Sequence, residues 1–139
     1  MAYWLFKSEA ETWSWDQQVA KGEAGQEWDG VRNYQARNNM RAMKVGDRGF
    51  FYHSNVEKAV VGIVEVIATV HPDSTTDDLR WECVDVKAVR PMPNPVTLEM
   101  CKAEPRLKDM VLVNNTRLSV QPVTKAEWKV VCEMGGLTD

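Results

Sequence analysis

Residues 28–47 read WDGVRNYQARNNMRAMKVGD. A tryptophan and an Asp-Gly turn open the stretch. From Arg32 to Arg41 it carries three arginines, three asparagines, a glutamine and a tyrosine. A core has little use for so many planar donors and acceptors, so they face a surface or a ligand. Asn33 is suited to cap a helix over YQARNNMRAMK, which Gly46 ends. Ala36, Met40 and Met43 fall on one stripe of that helix and are expected in the core. Arg37, Arg41 and Lys44 share the same spacing on another face, so three cations stand in a row.

Strands surround this helix. AYWLFKS, before it, is short, aromatic and apolar, and predicts a first strand. Ser14 caps a predicted helix over WDQQVAKG, and GEAGQEWDG is expected as a loop. After the helix, RGFFYHS and KAVVGIVEVIATV predict an antiparallel pair joined by NVEK. RWECVDVKAVR alternates and predicts another strand. PMPNP is expected to stop it and lead to a short helix capped by Thr97. MVLVNN predicts a short strand and RLSVQPV an extended segment. Thr124 and Glu127 form a capping box for a last helix running to Met134. Strands outnumber helices, and the expected class is α+β, with a mostly antiparallel, curved sheet decorated by helices.

At 139 residues the chain suits one domain, expected to span 1–139. The N-terminus lacks the basic start and long apolar run of a signal peptide, and no stretch approaches membrane-span length, so a cytoplasmic protein without membrane partners is expected. Cys83, Cys101 and Cys132 show neither a CxxC pair nor zinc-site spacing and are expected as buried thiols, with no metal and no cofactor. Net charge is −3, yet residues 28–58 carry six cations against three anions. A local positive face on an acidic protein can orient a polyanion.

No nucleophile elbow, phosphate-binding loop or deaminase signature is present, and a catalytic role is not expected. Six tryptophans are a heavy load. Trp4, Trp13, Trp15 and Trp128 fit element patterns and are expected to pack. Trp28 and Trp81 fall in loops, where an exposed indole is costly unless it covers something. A flat apolar site flanked by amides suits a planar base, and a cage of two aromatics favours a methylated one.

YWLFKSE, WDGVRNYQARNNMRAMKVGD, FFYHSN, GIVEV, WECVDV and RLSVQPVTKAEW follow in this order over nearly the whole chain. Together they resemble the EVE domain family, of the PUA-like superfamily and related to YTH domains, which read N6-methyladenine in RNA. The resemblance implies a small PUA-like β-barrel of about five to six mostly antiparallel strands surrounded by helices. It also implies a base pocket. Lys7 and Ser8 match the Lys-Ser after the first strand of YTH domains, with Glu9 beside them. Trp28 matches a first cage tryptophan and Trp81 a second. Gly30, Asn33 and Tyr34 belong to the signature after Trp28, and Ser54 and Asn55 close FFYHSN near the same mouth. Arg117 corresponds to a nucleic-acid-contacting arginine. Ala10 stands where the family's K-S-E-P has proline, which loosens that loop.

The expected function is that of a non-catalytic, monomeric reader of DNA or RNA carrying a modified cytosine or adenine. The base would sit against Trp28, and Arg32, Arg37, Arg41, Lys44 and Arg117 would meet phosphates. Truncating Trp28 is expected to abolish binding with little unfolding. Rival readings are a free modified nucleoside in the same pocket, an enzyme using Lys7, Glu9 or His53, and a protein-interaction module.

Overall fold

The computed structural model describes residues 1–55, 57–115 and 117–137. Val56 of the expected NVEK loop, Thr116 of the NTRLSVQP string and the last two residues lie outside the described residues. The strands are β1 (Tyr3–Ser8), β2 (Gln26–Glu27), β3 (Arg48–His53), β4 (Ala59–Pro72), β5 (Glu82–Thr97) and β6 (Val120–Val123). The helices are α1 (Trp15–Ala20), α2 (Tyr34–Arg41), α3 (Leu98–Ala103), α4 (Val111–Asn114) and α5 (Lys125–Met134). The Ser14, Asn33, Thr97 and Thr124 caps all form. Among the described residues no helix is long and apolar enough to cross a membrane. All three cysteines are buried thiols.

The strands form a sheet in the order β2-β5-β4-β3-β1-β6. Its ladders are antiparallel except β1–β3, which is parallel. A parallel pair needs a long crossover, and residues 9–47 supply it. Strand alternation places apolar side chains on both faces. Leu5, Phe50 and Tyr52 join one core cluster, with Trp128 and Val131 of α5. Trp4, Phe6 and Phe51 join a second, covered by Ala36 and Met40 of α2 and by Trp15 and Trp28.

The sheet is strongly curled around this second cluster. Trp28, just after β2, lies with its ring centroid 5.1 Å from that of Phe6 on β1. Those two strands stand four neighbours apart, which on a flat sheet is about 19 Å. The helix α2 packs against both β5 and β6, and Asn39 Nδ2 donates to the Val120 carbonyl at 2.7 Å. A helix therefore fills the gap between the sheet's ends. The barrel expected from the resemblance is not closed, because β2 and β6 make no ladder with each other.

Three local expectations are corrected. MVLVNN is not a strand: Val111–Asn114 form α4, and the Asn114 side chain donates to the Met110 and Lys108 carbonyls. A short apolar run fits a buried helix turn as well as a strand, and burial of Leu107, Met110 and Leu112 selects the helix. PMPNP does not stop β5, which runs through it to Thr97. Pairing with β2 covers only Asp85 and Val86, so the prolines lie where β5 is an edge and need no second ladder. The expected GEAGQEWDG loop contains a single 3-10 turn (Gly22–Ala24) and β2.

Candidate functional site

The end of β1, the loop before α1 and the segment from β2 toward α2 enclose a cavity of about 530 Å³. This volume is in the range of small-molecule sites. Two indoles, Trp28 and Trp13, stand in its lining. Trp28 is 7% exposed; edge-to-face contacts to Phe6 and to Phe51, whose centroid is 5.5 Å away, fix its ring. Its N–H donates to the Val84 carbonyl at 2.8 Å, so the backbone is pinned to β5 as well. Trp13 is half-buried. Its indole N–H donates to Gln18 Oε1 at 2.9 Å, and Gln18 in turn donates to the Val86 carbonyl. Its carbonyl accepts from Ser8 Oγ. Both rings are thus held before any ligand arrives. Opposite charges share the rim: Lys7 and Arg32 against Glu9, Glu27 and Asp29.

Burial lowers the Lys7 pKa below the usual lysine value. Asp73, behind the rim, accepts from the Gly30 N–H at 2.9 Å, from Arg32 at 3.1 Å and from Thr75. Burial opposes its charge, but these bonds outweigh it and hold its pKa at about 2. Gly30 has φ +76°, a left-handed turn that brings its N–H to Asp73 and favours glycine at this position. Glu27 is likewise held below the ordinary range: burial raises it, and bonds from Ser74 and Cys83 overcome that. Asp29 moves the other way. Burial first, then the Asp73 and Glu27 carboxylates, raise its pKa.

Of the expected base-pocket residues, Lys7, Ser8, Glu9, Trp28 and Gly30 line the cavity, and Arg32, expected at a phosphate, lines it too. Asn33 caps α2, its Oδ1 accepting from the Ala36 N–H. Ser54 donates its N–H to the Ser8 carbonyl, which ties the β3 end to the cavity wall, and Asn55 is exposed. Tyr34 and Trp81 do not line the cavity. They stack on each other outside it, with centroids 5.0 Å apart. Arg37 lies over Tyr34 and Arg32 over Trp81, so cation, ring, ring and cation alternate along the surface. Arg32 belongs to both places.

The expected phosphate row is only partly open. Arg41 pairs with Glu82 and Arg32 with Asp73. Arg37 bonds neutral partners, the Arg80 carbonyl and Asn38. Lys44 and Arg117 are exposed. Trp28 is a core residue as much as a wall, which contradicts the expectation that its truncation leaves folding intact.

The sequence profile of the EVE domain matches residues 2–134. The chain belongs to the EVE domain family. A protein of Agrobacterium tumefaciens with a solved structure is 64% identical, with a TM-score of 0.97 over 99% of this chain and 94% of its own. Thymocyte nuclear protein 1 of Mus musculus is 37% identical over 95% of this chain and 73% of its own length. The structure of human THYN1, solved in complex with 5-methylcytosine-containing DNA, is 34% identical, with a TM-score of 0.92 over 100% of both chains. A Zygosaccharomyces rouxii YTH domain, solved with N6-methyladenosine RNA, shares the fold at 15% identity and a TM-score of 0.60, over 99% of this chain and 88% of its own.

In this EVE domain, sequence reasoning missed Trp13 and Asp29 as cavity residues. Trp13 lies outside any helix or strand, and the loop-indole argument applied to Trp28 and Trp81 would have found it. Asp29 was visible only as half of a turn. The fold also gathers Glu27, His71 and Cys83, whose ligand atoms lie within 4.8 Å of one another. As arranged they suit protons better than a metal. His71 meets the Pro72 carbonyl and the Asp85 carboxylate with its two ring nitrogens. Burial disfavours its charge, but these partners raise its pKa and favour the imidazolium. Burial, with Glu27 beside it, pushes the Cys83 thiol up, and its S–H donates to Glu27. A cation here would have to displace one of the two His71 bonds and the Cys83–Glu27 bond.

Proposed function

We propose that this EVE domain is a non-catalytic reader that takes a flipped, modified base of a nucleic acid into the Trp13–Trp28 cavity. The observation that carries the reading is the cavity itself: two braced indoles beside a rim of polar groups suited to a base edge. The complex of human THYN1 with 5-methylcytosine-containing DNA supports nucleic acid as the partner. Unstacking a base costs a few kcal/mol. One stacking contact returns roughly 1–3 kcal/mol, so a fixed indole offsets much of that cost. Arg37 on α2 and Lys44, which lies beyond the end of α2 at Arg41 and not on the helix expected to carry it, have no carboxylate partner among the described residues and are the proposed phosphate contacts, with Arg117 a third. The proposed reader acts as a monomer. The curled sheet, with α2 across its gap, supports a relation to PUA-like barrels.

A titration tests this. Short single- and double-stranded DNA and RNA, with cytosine, 5-methylcytosine, 5-hydroxymethylcytosine, adenine or N6-methyladenine at one position, are titrated at two salt concentrations. Preference for one modified base, with affinity falling as salt rises, is the expected result. Equal binding across the panel contradicts the proposal. The pairing of Arg32 and Arg41 with carboxylates favours one second reading, a free modified nucleoside in the same cavity. A neutral nucleoside would bind with almost no salt slope.

A further inference from the structure

The carboxylates at the cavity and behind its rim stand in different states of commitment. Asp73 is saturated by Gly30, Arg32 and Thr75. Glu27 is occupied by the Ser74 N–H and hydroxyl and by Cys83. Asp29 follows Trp28 directly and lines the cavity; like Glu9 on the opposite loop, its side chain receives no hydrogen bond among the described residues. Two committed carboxylates, Glu27 and Asp73, crowd it, and only Arg32 relieves them. A carboxylate so placed gains from a ligand that brings hydrogen-bond donors.

We infer that Asp29 is the specificity-determining side chain of the cavity, accepting a hydrogen bond from an exocyclic amino group on the edge of the bound base. The inference rests on the base-reader proposal above. It selects the chemical class of base, one with an amino donor at the position where thymine and uracil carry a carbonyl. Cytosine offers such a donor at N4 and adenine at N6, whereas thymine presents the O4 acceptor. An ionised carboxylate only accepts, so O4 meets repulsion at Asp29 and the amino group meets a partner. The upward direction of the Asp29 pKa agrees with this: burial disfavours its charge first, and the Asp73 and Glu27 carboxylates add to that.

5-Methylcytosine and thymine are near-isosteres with the same methyl group and differ at C4 and N3, which isolates the edge from the stacking. The experiment titrates wild type and Asp29→Asn with single-stranded oligonucleotides that differ only in carrying 5-methylcytosine or thymine at one position. Wild type is expected to prefer 5-methylcytosine by at least about tenfold. Asparagine can donate as well as accept, so Asp29→Asn is expected to reduce the preference to about threefold or less. Asp29→Ala, without either capacity, is expected to weaken 5-methylcytosine binding and to relieve the repulsion of thymine, so that the preference falls as it does in Asp29→Asn. An unchanged preference in Asp29→Asn, or equal binding of both oligonucleotides by wild type, overturns the inference and leaves the reader proposal standing. Absence of binding to either one, with N6-methyladenine also rejected, overturns both. Thermal melting of each variant within a few degrees of wild type is expected for an exposed residue without bonds, and separates loss of binding from loss of fold.

Discussion

Trp28 and Trp81 enter the chain in similar ways, each at the end of a polar loop, and the fold uses them differently. Trp28 is buried to 7% exposure between Phe6 and Phe51 and gives the cavity a fixed wall. Trp81 stays half-buried outside it, stacked on Tyr34 under the Arg32 guanidinium. What separates them is the sheet. Trp28 follows a strand that the curl brings against β1, whereas Trp81 follows the 73–80 loop, which its own hydrogen bonds hold at the surface. A loop tryptophan therefore shows that an indole needs cover, and the topology decides whether the cover is a core or a neighbouring side chain.

The largest expected contrast is in stability. Trp28→Ala removes a core side chain and should cost about 3–5 kcal/mol. Trp81→Ala loses an exposed stack worth about 1 kcal/mol. Urea unfolding of the two variants measures this directly, and equal losses would erase the distinction. Next is the joint between the regions, Asp73, which binds Gly30 on the cavity side and Arg32 on the ladder side. Its folded pKa of about 2 lies below the unfolded value near 4, so its contribution is complete above about pH 4 and is lost as pH falls through 2. That contribution is about 2 kcal/mol. Urea midpoints at pH 6 and pH 2.5 should show Asp73→Asn starting lower than wild type and losing less on acidification.

Binding gives the smaller contrasts. Trp13→Ala should weaken a modified-base oligonucleotide by about 1–3 kcal/mol, measured by fluorescence anisotropy, while melting shifts far less than in Trp28→Ala. Arg37→Ala should lower the slope of log affinity against log salt by about one. Arg41→Ala should lower it less, because Glu82 already neutralises that guanidinium.

Much of the architecture was legible because its signals are local. The Asn33 and Thr124 caps and the short aromatic, apolar runs YWLFKS and RGFFYH each depend on a few neighbouring residues. The errors arose where distant pairing decides. PMPNP is tolerated in β5 because β2 is two residues long, and nothing within PMPNP records that. The open barrel follows from how β2 and β6 end, not from any strand's own pattern. At the site, Lys7, Ser8 and Glu9 could be placed together because they are contiguous. Separating Trp81 from the cavity and recruiting Trp13 required the course of two loops.

In the proposed reader the cavity discriminates the base and the exposed stack does not. The most direct measurement is the ratio of dissociation constants for oligonucleotides with and without the preferred modification, in wild type, Trp13→Ala and Trp81→Ala. Trp13→Ala is expected to bring the ratio close to one, while Trp81→Ala weakens both oligonucleotides alike and preserves it. A ratio kept in Trp13→Ala and lost in Trp81→Ala would place recognition on the surface stack and not in the cavity.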